Sequence, residues 1–191
     1  MSDAAGSAVA RALRSEMALA VGIAGAVGLT VFVVDYPLSI PGAGLAAITC
    51  WIARTDWRER IIPNPASLAA AALGVAEALI SAEPRAAFID ALTRGGVMFL
   101  LFFGFRFAYR FWRGREGMGL GDVKLAGVLG LWLEWPYIPV AVELACLSAI
   151  AYVLVMKIVA AEPVNAFSKL PFGAFFAPAI WVTWTWANGS F

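Results

Sequence analysis

Residues 114–130, "GREGMGLGDVKLAGVLG", decide how this chain is arranged. They set three alternating glycines, Gly117, Gly119 and Gly121, directly before Asp122 and a short apolar run, 122–135. If that run crosses a membrane, every later loop changes side. At about 1.5 Å per residue it reaches only about 21 Å, against a hydrocarbon core of about 30 Å. Anchored at its far end by the turn "EWP" (134–136), such a short helix would hold its first residues, Asp122 among them, below the membrane surface.

The flanking sequence favours a crossing. The chain has 191 residues, 62% hydrophobic and 14% charged, where a soluble domain carries about 25% charged residues. Repeated apolar runs predict seven spans, roughly 17–34, 38–53, 66–81, 91–109, 122–135, 137–160 and 171–188. With the N-terminus inside, Arg11, Arg14, Arg54, Arg58, Arg60, Arg106, Arg110, Arg113, Arg115, Lys124, Lys157 and Lys169 all fall on the inner side. Only Arg85 and Arg94 fall outside. Omitting 122–135 as a span would carry Lys157 and Lys169 outward and break this positive-inside pattern. The expected fold is therefore all-α, a polytopic membrane protein of about seven transmembrane helices with a cytoplasmic N-terminus. "RALRSE" (11–16) looks like the start of a secretory signal. The apolar core after it exceeds the usual 7–15 residues or so, which predicts a retained anchor. Arg94 and Arg106 are expected to snorkel from the ends of the fourth span. The tryptophans of "WVTWTWANGSF" (181–191) suit the outer interface. Residues 1–191 are expected to form a single membrane-embedded domain.

Composition removes much chemistry. There is no histidine, which excludes Ser-His and Cys-His catalysis and HExxH zinc sites. The two cysteines, Cys50 and Cys146, form no CxxC pair and are expected as small buried residues. No metal or organic cofactor is expected. The glycine run lacks the spacing of a phosphate loop, and no βαβ unit surrounds it, so neither nucleotides nor nucleic acids are expected partners.

What remains is a pair of aspartates, each beside a span on the basic inner side. Asp56 lies in "ARTDWRERIIPNPAS" (53–67), and Asp122 follows the glycines. Plain structural roles exist for both. Asp56 could pair with Arg60 one turn on, Asn64 and Pro65 read as N-cap and first residue of the third span, and Asp122 as N-cap of the fifth. The other reading is chemical. Two carboxylates brought together cannot both ionise easily, so they share a proton and titrate as a unit. One then activates water while the other, protonated, polarises a carbonyl. Gly119 and Gly121 would let an extended substrate approach the backbone. Sequence spacing alone leaves both readings open.

Three segments resemble one family. "GLGDVKL" (119–125) is similar to the GxGD motif of type IV prepilin peptidases, which are membrane aspartic proteases. "DWRERIIPN" (56–64) resembles that family's first aspartate segment, and "KLPFGAFFAPA" (169–179) its downstream PFGPF-type segment, with Ala174 where proline is common. The resemblance implies a catalytic dyad of Asp56 and Asp122. The substrate would be a prepilin or pseudopilin, cut after a leader glycine at the cytoplasmic face of the bacterial inner membrane. Pro171, Phe172 and Gly173 would help shape the substrate groove, and Lys124 would either tune the dyad or bind lipid phosphate. Without the CxxC-bearing domain of bifunctional members, the chain resembles the short, peptidase-only branch, with no N-methylation expected. The basic loops are expected to contact the lipid bilayer. Glu77 and Glu143, inside apolar spans, are expected to hydrogen-bond between helices. The alternatives are a GxGD protease for other membrane-anchored substrates and a proton-coupled carrier. No inverted repeat supports the carrier.

Overall fold

A computed structural model of the chain describes residues 2–114, 117–159 and 170–189, with side chains from Ser15 onward. Arg115 and Lys169, and the side chains of Arg11 and Arg14, lie outside the described residues. The fold is all-helical: α1 (Ser2–Val33), α2 (Ser39–Glu59), α3 (Asn64–Leu79), α4 (Pro84–Arg113), α5 (Leu120–Trp132), α6 (Tyr137–Val159) and α7 (Gly173–Asn188). Each expected span overlaps one helix, though the ends differ. Three helices overrun their spans by a turn or more, α1 at its start, α2 at its end and α4 at both ends, whereas α5 stops at Trp132, short of the expected end at 135. α4 starts on Pro84, whose missing N–H costs nothing in a first turn, and ends at Gly114, which takes a left-handed φ of 65°. Its 30 residues reach about 45 Å, enough to carry Arg110 and Arg113 beyond the apolar layer.

The helices sort by length and polarity. The segment Ser15–Val33 of α1, together with α4 and α6, is long and apolar enough to cross a membrane, which makes this a membrane protein. These three stand at the periphery. α1 packs on α2, α6 on α7, and α4 mainly on α5. The shorter α2, α3, α5 and α7 supply most of the core, where Leu45, Ile52, Leu125, Leu129, Phe176, Ile180 and Trp184 are fully buried. Small residues let these helices close up, as membrane packing requires. A Cβ at Gly130 of α5 would collide with the Arg94 carbonyl of α4, and one at Gly42 of α2 would enter the Trp184 ring of α7. An ion pair between Glu16 and Arg54 joins α1 to α2.

Several local expectations are corrected. Arg94 and Arg106 do not simply snorkel: Arg94 Nε donates to the Gly130 carbonyl at 3.3 Å, and Arg106 donates to the Met118 carbonyl. An intramolecular carbonyl meets the guanidinium where lipid would not. Cys146, on the peripheral α6, is exposed, and Cys50 on α2 is only half-buried. Glu77 is half-buried beside Arg94 of α4 and Trp184 of α7, whereas Glu143 stands on the outward face of α6, turned away from the other helices. Pro63 takes the N-cap position of α3 with no side-chain cap bond, which makes Asn64 the first helical residue. Gly119 takes the N-cap position of α5, leaving Asp122 inside the first turn.

Candidate active site

The last turn of α2 holds Asp56, only 6% exposed. The helix ends there because Arg60 adopts a left-handed conformation and its N–H donates to the Asp56 carbonyl at 2.9 Å. Asp56 is therefore a buried carboxylate rather than an exposed one, with the Arg60 charge still acting on it. The chain turns through Ile62 and Pro63 into α3. Ile62 is buried and forms a hub: a Cβ at Gly121 would come 2.9 Å from its Cδ1, and a Cβ at Gly173 would come 2.7 Å from the same atom. The three motif segments, far apart in sequence, therefore meet around one side chain.

The α7 segment faces Asp56 with its backbone. The Ala174 N–H donates to Asp56 Oδ2 at 2.9 Å and also lies 3.2 Å from the Pro171 carbonyl. The Gly173 N–H faces the same carboxylate. Asp56 thus sits at the positive end of α7, where exposed N–H groups and the helix dipole favour a carboxylate. Pro171 is buried and shapes this turn rather than the cleft wall, while Phe172 packs on Phe176 with ring centroids 5.4 Å apart. Gly173 leaves room for the carboxylate, since a Cβ there would stand 3.0 Å from Asp56 Oδ2.

Asp122 is positioned from the other side. It lies in the first turn of α5, and its carboxylate turns back toward the Gly119 N–H. This resembles half of a capping box. A Cβ at Gly119 would come 3.2 Å from Asp122 Oδ2. The Asp56 and Asp122 carboxylates are near enough for their charges to act on one another. Both open on one cleft of about 780 Å³, with Arg60 and Ile62 on one side, Gly119, Gly121 and Lys124 on another, and Leu170 and Phe172 closing the third. Lys124 Nζ donates to Asn64 Oδ1 at 2.6 Å, so Asn64 spends its side chain on Lys124 rather than on capping α3.

The structure thus gathers Asp56, Asp122, Gly119, Gly121, Lys124 and Phe172 on the cleft, with Pro171 and Gly173 just behind it. Sequence reasoning missed Ile62, the Ala174 N–H and the partnership of Asn64 with Lys124. Alternating glycines signal that something packs closely against them, but not which residue does so.

The profile of the Type IV leader peptidase family matches residues 43–154, a stretch that contains both Asp56 and Asp122. The chain belongs to the type IV leader peptidase family. A prepilin leader peptidase/N-methyltransferase of Stutzerimonas stutzeri is 31% identical over 99 residues, covering 52% of this chain and 34% of the relative. A protein of the same description from Burkholderia pseudomallei is 32% identical over 140 residues, covering 70% of this chain and 42% of the relative. The leader peptidase HopD of Escherichia coli is 39% identical over 71 residues, covering 37% and 45%. The matched part of the chain spans about a third of the length of the first of these curated relatives. No solved structure matches significantly.

Proposed function

We propose that this protein is an aspartic endopeptidase that removes the leader peptide of a prepilin or pseudopilin at the cytoplasmic face of the inner membrane. The observation that carries this reading is the opening of Asp56 and Asp122 onto one cleft. A carboxylate pair of this kind shares one proton. In the proposed reaction the ionised member takes a proton from water, whose oxygen adds to the scissile carbonyl. The protonated member gives its proton to the carbonyl oxygen. Collapse of the tetrahedral intermediate then releases the amine of the mature segment, which takes up a proton from the dyad. Gly119 and Gly121 leave the backbone open to an extended peptide, and Pro171, Phe172 and Gly173 hold the α7 wall against Asp56.

The basic residues beside the cleft support a cytoplasmic site and a cytoplasmic N-terminus under the positive-inside rule. Residues 1–191 are read as one membrane-embedded unit. They hold no CxxC pair, and methylation is no part of the proposal. A test uses purified protein in liposomes with a synthetic probe: a short basic leader ending in glycine, followed by an apolar helix. Mass spectrometry is expected to find one cut, directly after the glycine. Cleavage elsewhere in the probe would favour a GxGD protease of other specificity, and an uncut probe would contradict the proposal.

A further inference from the structure

A second cavity, about 540 Å³, runs between α3, α4 and α5, lined by Leu68, Ala71, Leu92, Gly96, Phe99 and Leu131 among others. Apart from Asn64, Ser67 and Lys124 its lining is apolar. Asn64 and Lys124 are hydrogen-bonded to each other, and Lys124 also lines the aspartate cleft. The groove therefore begins where the cleft ends. From there it follows α5 from Lys124 to Leu131 and α3 from Asn64 to Ala71, about two helical turns each. Leu68, Leu92 and Phe99 remain exposed along it, and Gly96 leaves open space, with nothing within 4 Å of where its Cβ would be.

Resting on the peptidase reading, we propose that this groove receives the apolar helix of the substrate, immediately beyond the scissile bond. Three features select that occupant. The groove is continuous with the cleft, so a chain held at the aspartates passes directly into it. Its polar groups sit only at the cleft end, where a peptide bond must be presented, and its remainder matches a segment that leaves water. Its floor at Gly96 lets another helix approach a backbone closely, the manner in which helices associate in lipid. The Asn64–Lys124 pair marks the junction at which extended substrate gives way to helix.

The test compares two probes, the leader-glycine peptide with its apolar helix and the same peptide truncated two residues beyond the glycine. Gly96→Leu fills the groove without a clash and improves helix propensity. It is expected to lower the ratio of kcat/KM for anchored over truncated probe by about tenfold or more, a loss of about 1.4 kcal/mol in selective binding. Gly104→Leu, also on α4 with open space at its Cβ but outside the groove, should keep the wild-type ratio. A photoreactive residue at Leu68 in the inactive Asp56→Asn protein should cross-link the anchored probe. An unchanged ratio in Gly96→Leu, an equal fall in both leucine variants, or cross-linking to lipid or to a second copy of the protein in place of the probe would each overturn the groove. Cross-linking to the anchored probe without any cleavage by the wild type would leave the groove standing and remove the peptidase reading instead.

Discussion

At Gly173 any other residue would press a Cβ within 3.1 Å of both Asp56 Oδ2 and Cγ. Ile62 can rotate away from such a group, but Asp56 is held by the Ala174 N–H and has less freedom. Gly173→Ala is therefore expected to cut the cleavage rate about tenfold to a hundredfold through misplacement of the carboxylate, with little change in thermal unfolding. A normal rate would mean that the carboxylate position has slack. The pair also predicts a pH signature. Acid protonates both carboxylates and removes the base, whereas alkali strips the shared proton and removes the acid. Initial rates should trace a bell against pH, and a single sigmoid would argue for one working carboxylate. The residue types at these places were legible, since glycine next to aspartate in a membrane protein without histidine leaves few chemistries open. The hub at Ile62 was not legible, because an isoleucine in an apolar chain looks like any other.

α5 is the shortest of the described helices, 13 residues, and it carries Asp122. Its position depends on α4 through close backbone approach at Gly130 and the Arg94 bond to the Gly130 carbonyl. Gly130→Ala should force the two helices apart, lowering stability by about 1–3 kcal/mol, the usual range for overpacking. A clear fall in thermal midpoint in detergent checks this, and an unchanged midpoint would show that α4 yields freely. Apolar runs and punctuation placed all seven helices, because lipid forces backbone hydrogen bonds to close within each helix. Helix ends and polar partners were less readable. Asn64 before Pro65 looks like a cap, yet its side chain serves Lys124 on another helix. Pairings of that kind depend on how helices cross, which a one-dimensional pattern does not contain.

Across the bundle, three apolar helices surround four shorter ones, and the candidate site lies among the shorter set. That division explains how a chain of such hydrophobicity keeps two carboxylates: they face a cleft, not lipid. The distribution of Lys and Arg fixes the expected orientation. With Cys50 and Cys146 replaced by alanine, Glu134→Cys should react with a membrane-impermeant maleimide from outside intact cells. Glu59→Cys should react only after permeabilisation. The opposite pattern would invert the topology and place the aspartates on the wrong side for a cytoplasmic leader.

The most direct test is to replace Asp56 and Asp122 singly by asparagine, which preserves shape and removes the ionisable oxygen, and to follow cleavage of the leader-glycine probe in liposomes. Both variants should lose cleavage, by about a thousandfold or more, while keeping wild-type helix content and thermal midpoint. Near-normal cleavage by both would show that the two aspartates, despite sharing a cleft, are not the acid and base of the proposed peptidase.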